Sequence, residues 1–321
     1  MLAFEMTMQA RHSGNQAMPP FVLPAAARGA VEPVHHVPVL AEEAVAALAV
    51  RADGTYVDAT FGAGGHSALI LDVLGTAGRL VAFDVDPSAG TRAPVDPRFT
   101  LVHANFRELA ERLDELGIAA VDGVLFDLGV SSMQLDEGER GFSFRSPAPL
   151  DMRMDSTRGL TAAEWLDAHD EREIADAIYE YGEERASRRI ARAIVALRDA
   201  GTPVRDTVDL AGVVARAVRS HGKIHPATRT FQALRIVVND ELGALRDGLS
   251  AALDRTVPGG RVAAISFHSL EDRIVKHTFR EDPRAHVVTR KPIVAQAGEL
   301  AANPRSRSAK LRVAERAEVE S

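Results

Sequence analysis

From Thr55 onward, short apolar runs alternate with glycine-marked loops and amphipathic stretches. TYVDAT is a β-rich run that breaks at FGAGGHS, and Ser67 to Leu74 has the spacing of a helix. RLVAFDVD (Arg79 to Asp86) and FTLVHANF (Phe99 to Phe106) are a second and a third apolar run. Between Arg107 and Leu116, Leu109, Leu113 and Leu116 share one helical face, and VDGVLFDLGVSS (Val121 to Ser132) supplies a fourth strand and its loop. Strands that alternate with helices predict a parallel, doubly wound α/β sheet.

The alternation then stops. Residues 135–235 read as a polar loop followed by helices. From Phe231 to Leu253, apolar residues at Leu234, Val238, Leu242, Leu245, Leu249 and Leu253 recur every three or four positions and predict one long amphipathic helix. After Pro258-Gly259-Gly260 the run RVAAISFHS predicts a fifth strand, and shorter β-like runs occur at His286 to Val288 and Lys310 to Val313. The sheet therefore resumes after a helical insertion. The expected organisation is a disordered leader over 1–33, a first part of the sheet domain over 34–134, a helical insertion for substrate recognition over 135–235, and a second part of the sheet domain with a basic tail over 236–321.

Candidate chemistry collects at the predicted strand ends, where open α/β sheets bind ligands. The first strand ends at Asp58, and Gly62, Gly64 and Gly65 open the helix after it, allowing a sharp turn and close backbone approach. The second strand ends at Asp84, the position from which an acid commonly binds the two hydroxyls of an adenosine ribose. The spacing is G-A-G-G rather than G-x-G-x-x-G, and no G-x-x-x-x-G-K-[ST] phosphate loop occurs. A cofactor without a pyrophosphate, such as S-adenosyl-L-methionine, fits better than NAD or ATP. Phe106, after the third strand, is placed either to pack on adenine or to cap a core, and Asp127 ends the fourth.

Composition narrows the classes further. With 46% hydrophobic and 26% charged residues, the 321-residue chain has material for a sizeable core. The absence of cysteine excludes disulfides, thiolate zinc sites and the usual zinc deaminase, and the absence of G-x-S-x-G disfavours a hydrolase. No apolar run has the length of a membrane span and the N-terminus lacks the order of a secretory signal, so a cytoplasmic protein is expected. A net charge of -7 argues against nucleic-acid binding unless basic residues are gathered locally.

The motif DLGVSSMQLDEGERGFSF (Asp127 to Phe144) carries a closer resemblance. With HVPVL, DATFGAGGHS, DVDP, PLDMRMD, YGEERASRRIARAI, HPATRTFQALRIVVNDEL, SFHSLEDRIVK and NPRSRSAKLRVAER, it makes the chain similar to the ribosomal RNA small-subunit methyltransferase H family over roughly residues 35–317. The resemblance implies a methyltransferase sheet with an inserted helical domain and S-adenosyl-L-methionine as donor. It implies as acceptor the N4 amine of a cytidine near the decoding site of 16S rRNA in the small ribosomal subunit. The implied cofactor contacts are Gly64, Gly65, His66, Asp84, Phe106, Asp127 and Gln134, of which His66 and Gln134 are singled out by the resemblance alone. It leaves a homodimer open. The 33-residue leader lies outside the family pattern, and the stretch between Lys291 and Asn303 is short for it.

Amino-methyltransferases commonly follow the fourth strand with an acid or amide, two prolines and an aromatic; here the slot reads Asp127-Leu128-Gly129-Val130. Asp127 is a candidate catalytic acceptor of hydrogen bonds from the amine, or a cofactor contact only. His268 is a second catalytic candidate, or a satisfied histidine at a strand end. Glu271 and Asp272 beside it read as a solvated, dipole-favoured first turn rather than as metal ligands, and no metal is expected. For RNA, Arg185, Arg188, Arg189 and Arg192 form one stripe, and Arg284, Arg290, Lys291, Arg305, Arg307, Lys310 and Arg312 form a basic tail expected, together with Arg229 and Arg235, to contact phosphates. Phe142 and Phe144 either stack on a splayed base or anchor the insertion. The competing readings are a methyltransferase for a non-RNA substrate and a cofactor-binding ribosome assembly factor without turnover.

Overall fold

Seven strands form one sheet in the computed structural model, which describes residues 38–130, 140–218 and 225–318. The expected leader and Gln134 lie outside the described residues. In chain order the elements of the first part are α1 (Ala41–Leu48), β1 (Thr55–Asp58), α2 (Gly65–Val73), β2 (Arg79–Asp84), β3 (Phe99–His103), α3 (Leu109–Glu115) and β4 (Val121–Asp127). Five helices follow: α4 (Ala162–Ala168), α5 (Glu171–Gly182), α6 (Ser187–Asp199), α7 (Thr207–Ala217) and α8 (Ala227–Asn239). The chain then returns through α9 (Glu241–Arg255), β5 (Thr256–Ser266), α10 (Ser269–Glu281), β6 (Ala285–Val287), α11 (Ala297–Ala302) and β7 (Lys310–Arg316).

The strand order is β3-β2-β1-β4-β5-β7-β6. β1 to β5 run parallel, whereas β7 is antiparallel to both β5 and β6. Chain direction across the sheet reverses between β1 and β4, and that switch point opens the crevice where such sheets hold ligands. Strand alternation divides the core into two faces. Val124, Phe126, Val262 and Ala264 meet Leu245, Leu249 and Leu253 of α9 on one face. Leu125, Ala263 and Ile265 meet Leu40, Leu48 and Ile70 on the other. Side chains between Phe142 and Leu234, among them Trp165, Ile178, Ile190 and Leu210, build a third core of their own.

The long helix expected from Phe231 to Leu253 is two helices. Asp240 sits between α8 and α9 in the left-handed region, at φ 46°. The reason lies in what the apolar stripe serves: Leu234 and Val238 pack into the helical insertion, and Leu245, Leu249 and Leu253 into the sheet. A straight helix cannot present one stripe to two differently placed cores, and spacing alone does not reveal the turn.

Candidate active site

The crevice begins with the loop after β1. Asp58 is fully buried at the strand end, accepting from the Thr60 amide (3.1 Å) and the Ser67 hydroxyl (2.6 Å), which ties the loop to the start of α2. Burial pushes its carboxyl up from the usual range. Gly64 turns the chain at φ 81°, and a Cβ there would lie 2.9 Å from the Phe61 ring. No side chain can replace that hydrogen without moving the ring.

Asp84, at the end of β2, faces the same loop. Its two carboxylate oxygens accept one backbone N–H each, from Gly62 (2.9 Å) and Asp86 (2.8 Å). An ionised carboxylate offers about four lone-pair directions, so two remain for hydroxyl donors. Burial raises the Asp84 carboxyl to about 6 despite the Asp86 and Gly62 amides, which favour the charged form. After β3, Asn105 caps a short turn over Phe106–Glu108 by accepting from the Arg107 amide at 3.0 Å. Phe106 packs edge-on against Phe126, with centroids 5.5 Å apart, and a Cβ on Gly248 of α9 would come within 2.6 Å of its ring. The ring is thus a fixed wall of the crevice.

Asp127 ends β4, its amide donating to the Thr60 hydroxyl at 2.6 Å. His66, only 4% exposed, stands behind it with Nδ1 3.4 Å from Asp127 Oδ2 and Nε2 3.1 Å from the Val39 carbonyl. A carbonyl only accepts, so Nε2 carries a proton. Burial opposes a second one, but the carboxylates of Asp127 and Asp58 outweigh it and the net shift is upward. The imidazole therefore favours a donor toward Asp127. The other oxygen, Oδ1, is buried, and among the described residues nothing donates to it.

Past β5 the expected reading needs correcting. Glu271 is not a solvated residue of a helix first turn: it is 2% exposed. It accepts from the Phe267 and His268 amides (2.8 and 3.3 Å) and lies 2.9 Å from His268 Nε2. Arg235 of α8, expected among phosphate-contacting residues, instead makes a bidentate pair with Glu241 (2.7 and 2.8 Å) and approaches Glu271 at 4.0 Å. Burial alone would raise the Glu271 carboxyl; His268 and Arg235 reverse this and hold it low. Glu241, His268 and Glu271 bring ligand-type atoms within 4.8 Å of one another, yet Arg235 already supplies the positive charge between the two carboxylates. Asp272 belongs to a different group, paired with Lys310 and Arg312 at 3.0 and 2.7 Å.

These loops enclose a cavity of about 800 Å³ that reaches from the sheet to the helical insertion. Gly65, His66, Asp84, Phe106 and Asp127 all line it, together with Arg153, Met154 and Arg158 from the insertion side. Gly64 shapes the loop without lining the cavity, and His268 stands behind Glu271 rather than on the wall. Asn239 was not legible as a site residue. It accepts from the Met154 amide (2.7 Å) and donates to the Met152 carbonyl (2.8 Å), pinning the insertion loop to α8. Phe144 packs on His225 and Phe231, and Phe142 is buried with the same core, so both anchor the insertion. No helix among the described residues is long and apolar enough to cross a membrane.

A doubly wound sheet of this order, with a glycine turn and an acid at its switch point, defines a methyltransferase of the α/β class. The family model described as the MraW methylase family matches residues 33–317. The ribosomal RNA small subunit methyltransferase H of Methylibium petroleiphilum is 53% identical over 311 residues, covering 90% of this chain and 98% of that one. Its counterpart in Thiobacillus denitrificans is 54% identical over 308 residues, covering 89% and 98%. A solved structure described as a putative rRNA methylase from Clostridium thermocellum aligns with a TM-score of 0.44 at 13% identity, over 88% of this chain and 99% of that one. The chain belongs to the MraW methylase family.

Proposed function

We propose that the protein transfers a methyl group from S-adenosylmethionine to the exocyclic N4 of a cytidine in small-subunit 16S rRNA, near the decoding site, and does so in the cytoplasm. The observation that carries the choice of an amine acceptor is the Asp127 carboxylate, 26% exposed in the cavity that Asp84 also lines, with His66 Nδ1 3.4 Å from its Oδ2.

The residues present fit the cofactor. Asp84 has lone pairs to accept from ribose hydroxyls, Phe106 offers a ring to adenine, and the turn at Gly62 to Gly65 leaves room for close approach. Bound there, S-adenosylmethionine supplies an electrophilic methyl group. The protein's part is to prepare the amine. Cytosine N4 is a weak nucleophile because its lone pair is delocalised into the ring. The Asp127 carboxylate accepts an N4–H and favours a pyramidal nitrogen, while His66, beside Oδ2, fixes the carboxylate's orientation. The nitrogen becomes acidic once methylated, so no strong base is needed. The fixed carboxylate holds the nitrogen in place, and positioning of this kind contributes several kcal/mol.

Asp127→Asn tests this. The neutral amide keeps one oxygen, already beside the His66 donor, and is a weaker acceptor for the amine than the carboxylate. Turnover should fall about 10²–10³-fold, as when one aimed hydrogen-bond partner is lost, with cofactor affinity changed only a few-fold. Equal loss of cofactor binding and turnover would restrict Asp127 to holding the cofactor.

A further inference from the structure

We propose that a second groove, at the sheet edge between α10 and the β6–β7 strands, binds a backbone phosphate of the RNA that flanks the target base. The groove has a volume of about 320 Å³ and is lined by Lys276, Phe279, Arg280, Val287, Thr289, Arg290 and Arg312. Four of these seven residues are cationic and none is acidic. Lys276, Arg280 and Arg290 are exposed.

Arg312 makes this a built site rather than a basic patch. Its side chain is only 10% exposed and is held by Nε on Asp272 Oδ1 at 2.7 Å. Among the described residues nothing accepts from its terminal nitrogens, which gives a fixed guanidinium fork of the kind that matches phosphate oxygens. Thr289 adds a neutral donor: its Oγ1 accepts from the Val313 amide at 2.9 Å, leaving the hydroxyl proton to be given to a ligand. Buried Phe279 floors the groove. An apolar floor under converging cations lowers the local dielectric and strengthens their attraction for an anion.

The groove also lies near the cavity. Ser308 lines the cavity and Arg312 lines the groove, four residues further along the chain. Even fully extended, that length spans at most about 14 Å, which sets the groove close to the lining of the cavity. Two of the other tail cations expected to serve RNA are already paired with acids: Arg284 with Asp282 and Asp254, and Lys310 with Asp272. This inference rests on the RNA-methylating reading.

The test compares the full-length enzyme with a Lys276→Ala/Arg280→Ala/Arg290→Ala variant. Three quantities are measured: methyl transfer to undermethylated small subunits, filter binding of their RNA over a range of salt, and affinity for S-adenosylhomocysteine. The groove predicts RNA binding at least about tenfold weaker, as for loss of one charge-assisted hydrogen bond. It also predicts a salt slope lower by about 0.7 for each phosphate released, with nucleoside affinity unchanged. Wild-type transfer with unaltered RNA affinity and slope in the variant would overturn the groove and leave the enzymatic reading standing. Absence of wild-type transfer would overturn that reading, and the inference with it. Inorganic phosphate bound by the wild type and not the variant, with RNA binding equal in both, would assign the groove to a free anion and overturn the proposal.

Discussion

Asp84 titrates where cofactor binding can be followed. Burial holds its carboxyl at about 6, and only the ionised form can accept from both ribose hydroxyls while keeping its two backbone amides. If the ligand selects the ionised form, apparent affinity is nearly full at pH 7, half-maximal near pH 6 and about tenfold weaker at pH 5, since each pH unit below the pKa costs about 1.4 kcal/mol. The assay is calorimetric titration with S-adenosylhomocysteine between pH 5 and 7, on the wild type and Asp84→Asn. The variant should bind weakly with this dependence removed, because an amide does not ionise. A wild-type affinity that is flat over the range, or a variant that keeps the tenfold change, would refute the reasoning. The sign for stability is opposite to that of a paired acid: with the folded value raised, the contribution of Asp84 to the stability of the ligand-free protein is greatest below the unfolded value. That contribution falls by up to about 3 kcal/mol as pH rises from about 4 to 6. Ligand binding offsets that cost.

Two further predictions concern the site's frame. Gly64→Ala adds a left-handed backbone penalty of about 1–2 kcal/mol and a contact with Phe61, whereas Gly201→Ala adds a similar backbone strain, at φ 79°, with nothing within 4 Å. Denaturant unfolding should show Gly64→Ala the more destabilised of the two and the only one to lose nucleoside affinity; equal effects would remove the Phe61 contact from the account. Glu271→Gln leaves Arg235 and His268 without their shared carboxylate, and unfolding free energy should drop by about 3 kcal/mol, in the range for a broken buried pair. The Glu271 carboxyl is depressed, so its contribution is present above the ordinary glutamate range and lost as pH falls through the folded value. The difference between variant and wild type should therefore shrink in acid, and a difference that persists there would argue for a steric cause.

What was legible in the sequence follows from how local the signal is. Asp58, Asp84 and Asp127 each close an apolar run, so the strand ends and their meeting at one crevice could be read from pattern and fold class together. The break at Asp240 could not be, because Leu234 and Leu245 belong to one stripe in sequence but to two cores in space. Nor could the burial of Glu271. An acid three residues after His268 on a helix start reads as solvent-facing until Arg235, brought from α8, supplies the charge that makes its burial tolerable. The basic tail is legible only in part for the same reason: Asp254 and Asp272 pair with Arg284 and Lys310 from elements far along the chain, while Arg290 and Arg312 line the second groove. Lys276 and Arg280, set within an ordinary amphipathic helix, carried no signal until β6 and β7 were seen beside them.

The central claim is the identity of the methylated atom. Small subunits lacking the modification would be incubated with the enzyme and methyl-labelled S-adenosylmethionine, and the digested nucleosides resolved by mass spectrometry. Label is expected in N4-methylcytidine at one position, and is expected to be lost with Asp84→Ala. Label in 5-methylcytidine would contradict that claim, because Asp127 would then not be facing an exocyclic amine, and label in another nucleoside would contradict the choice of base.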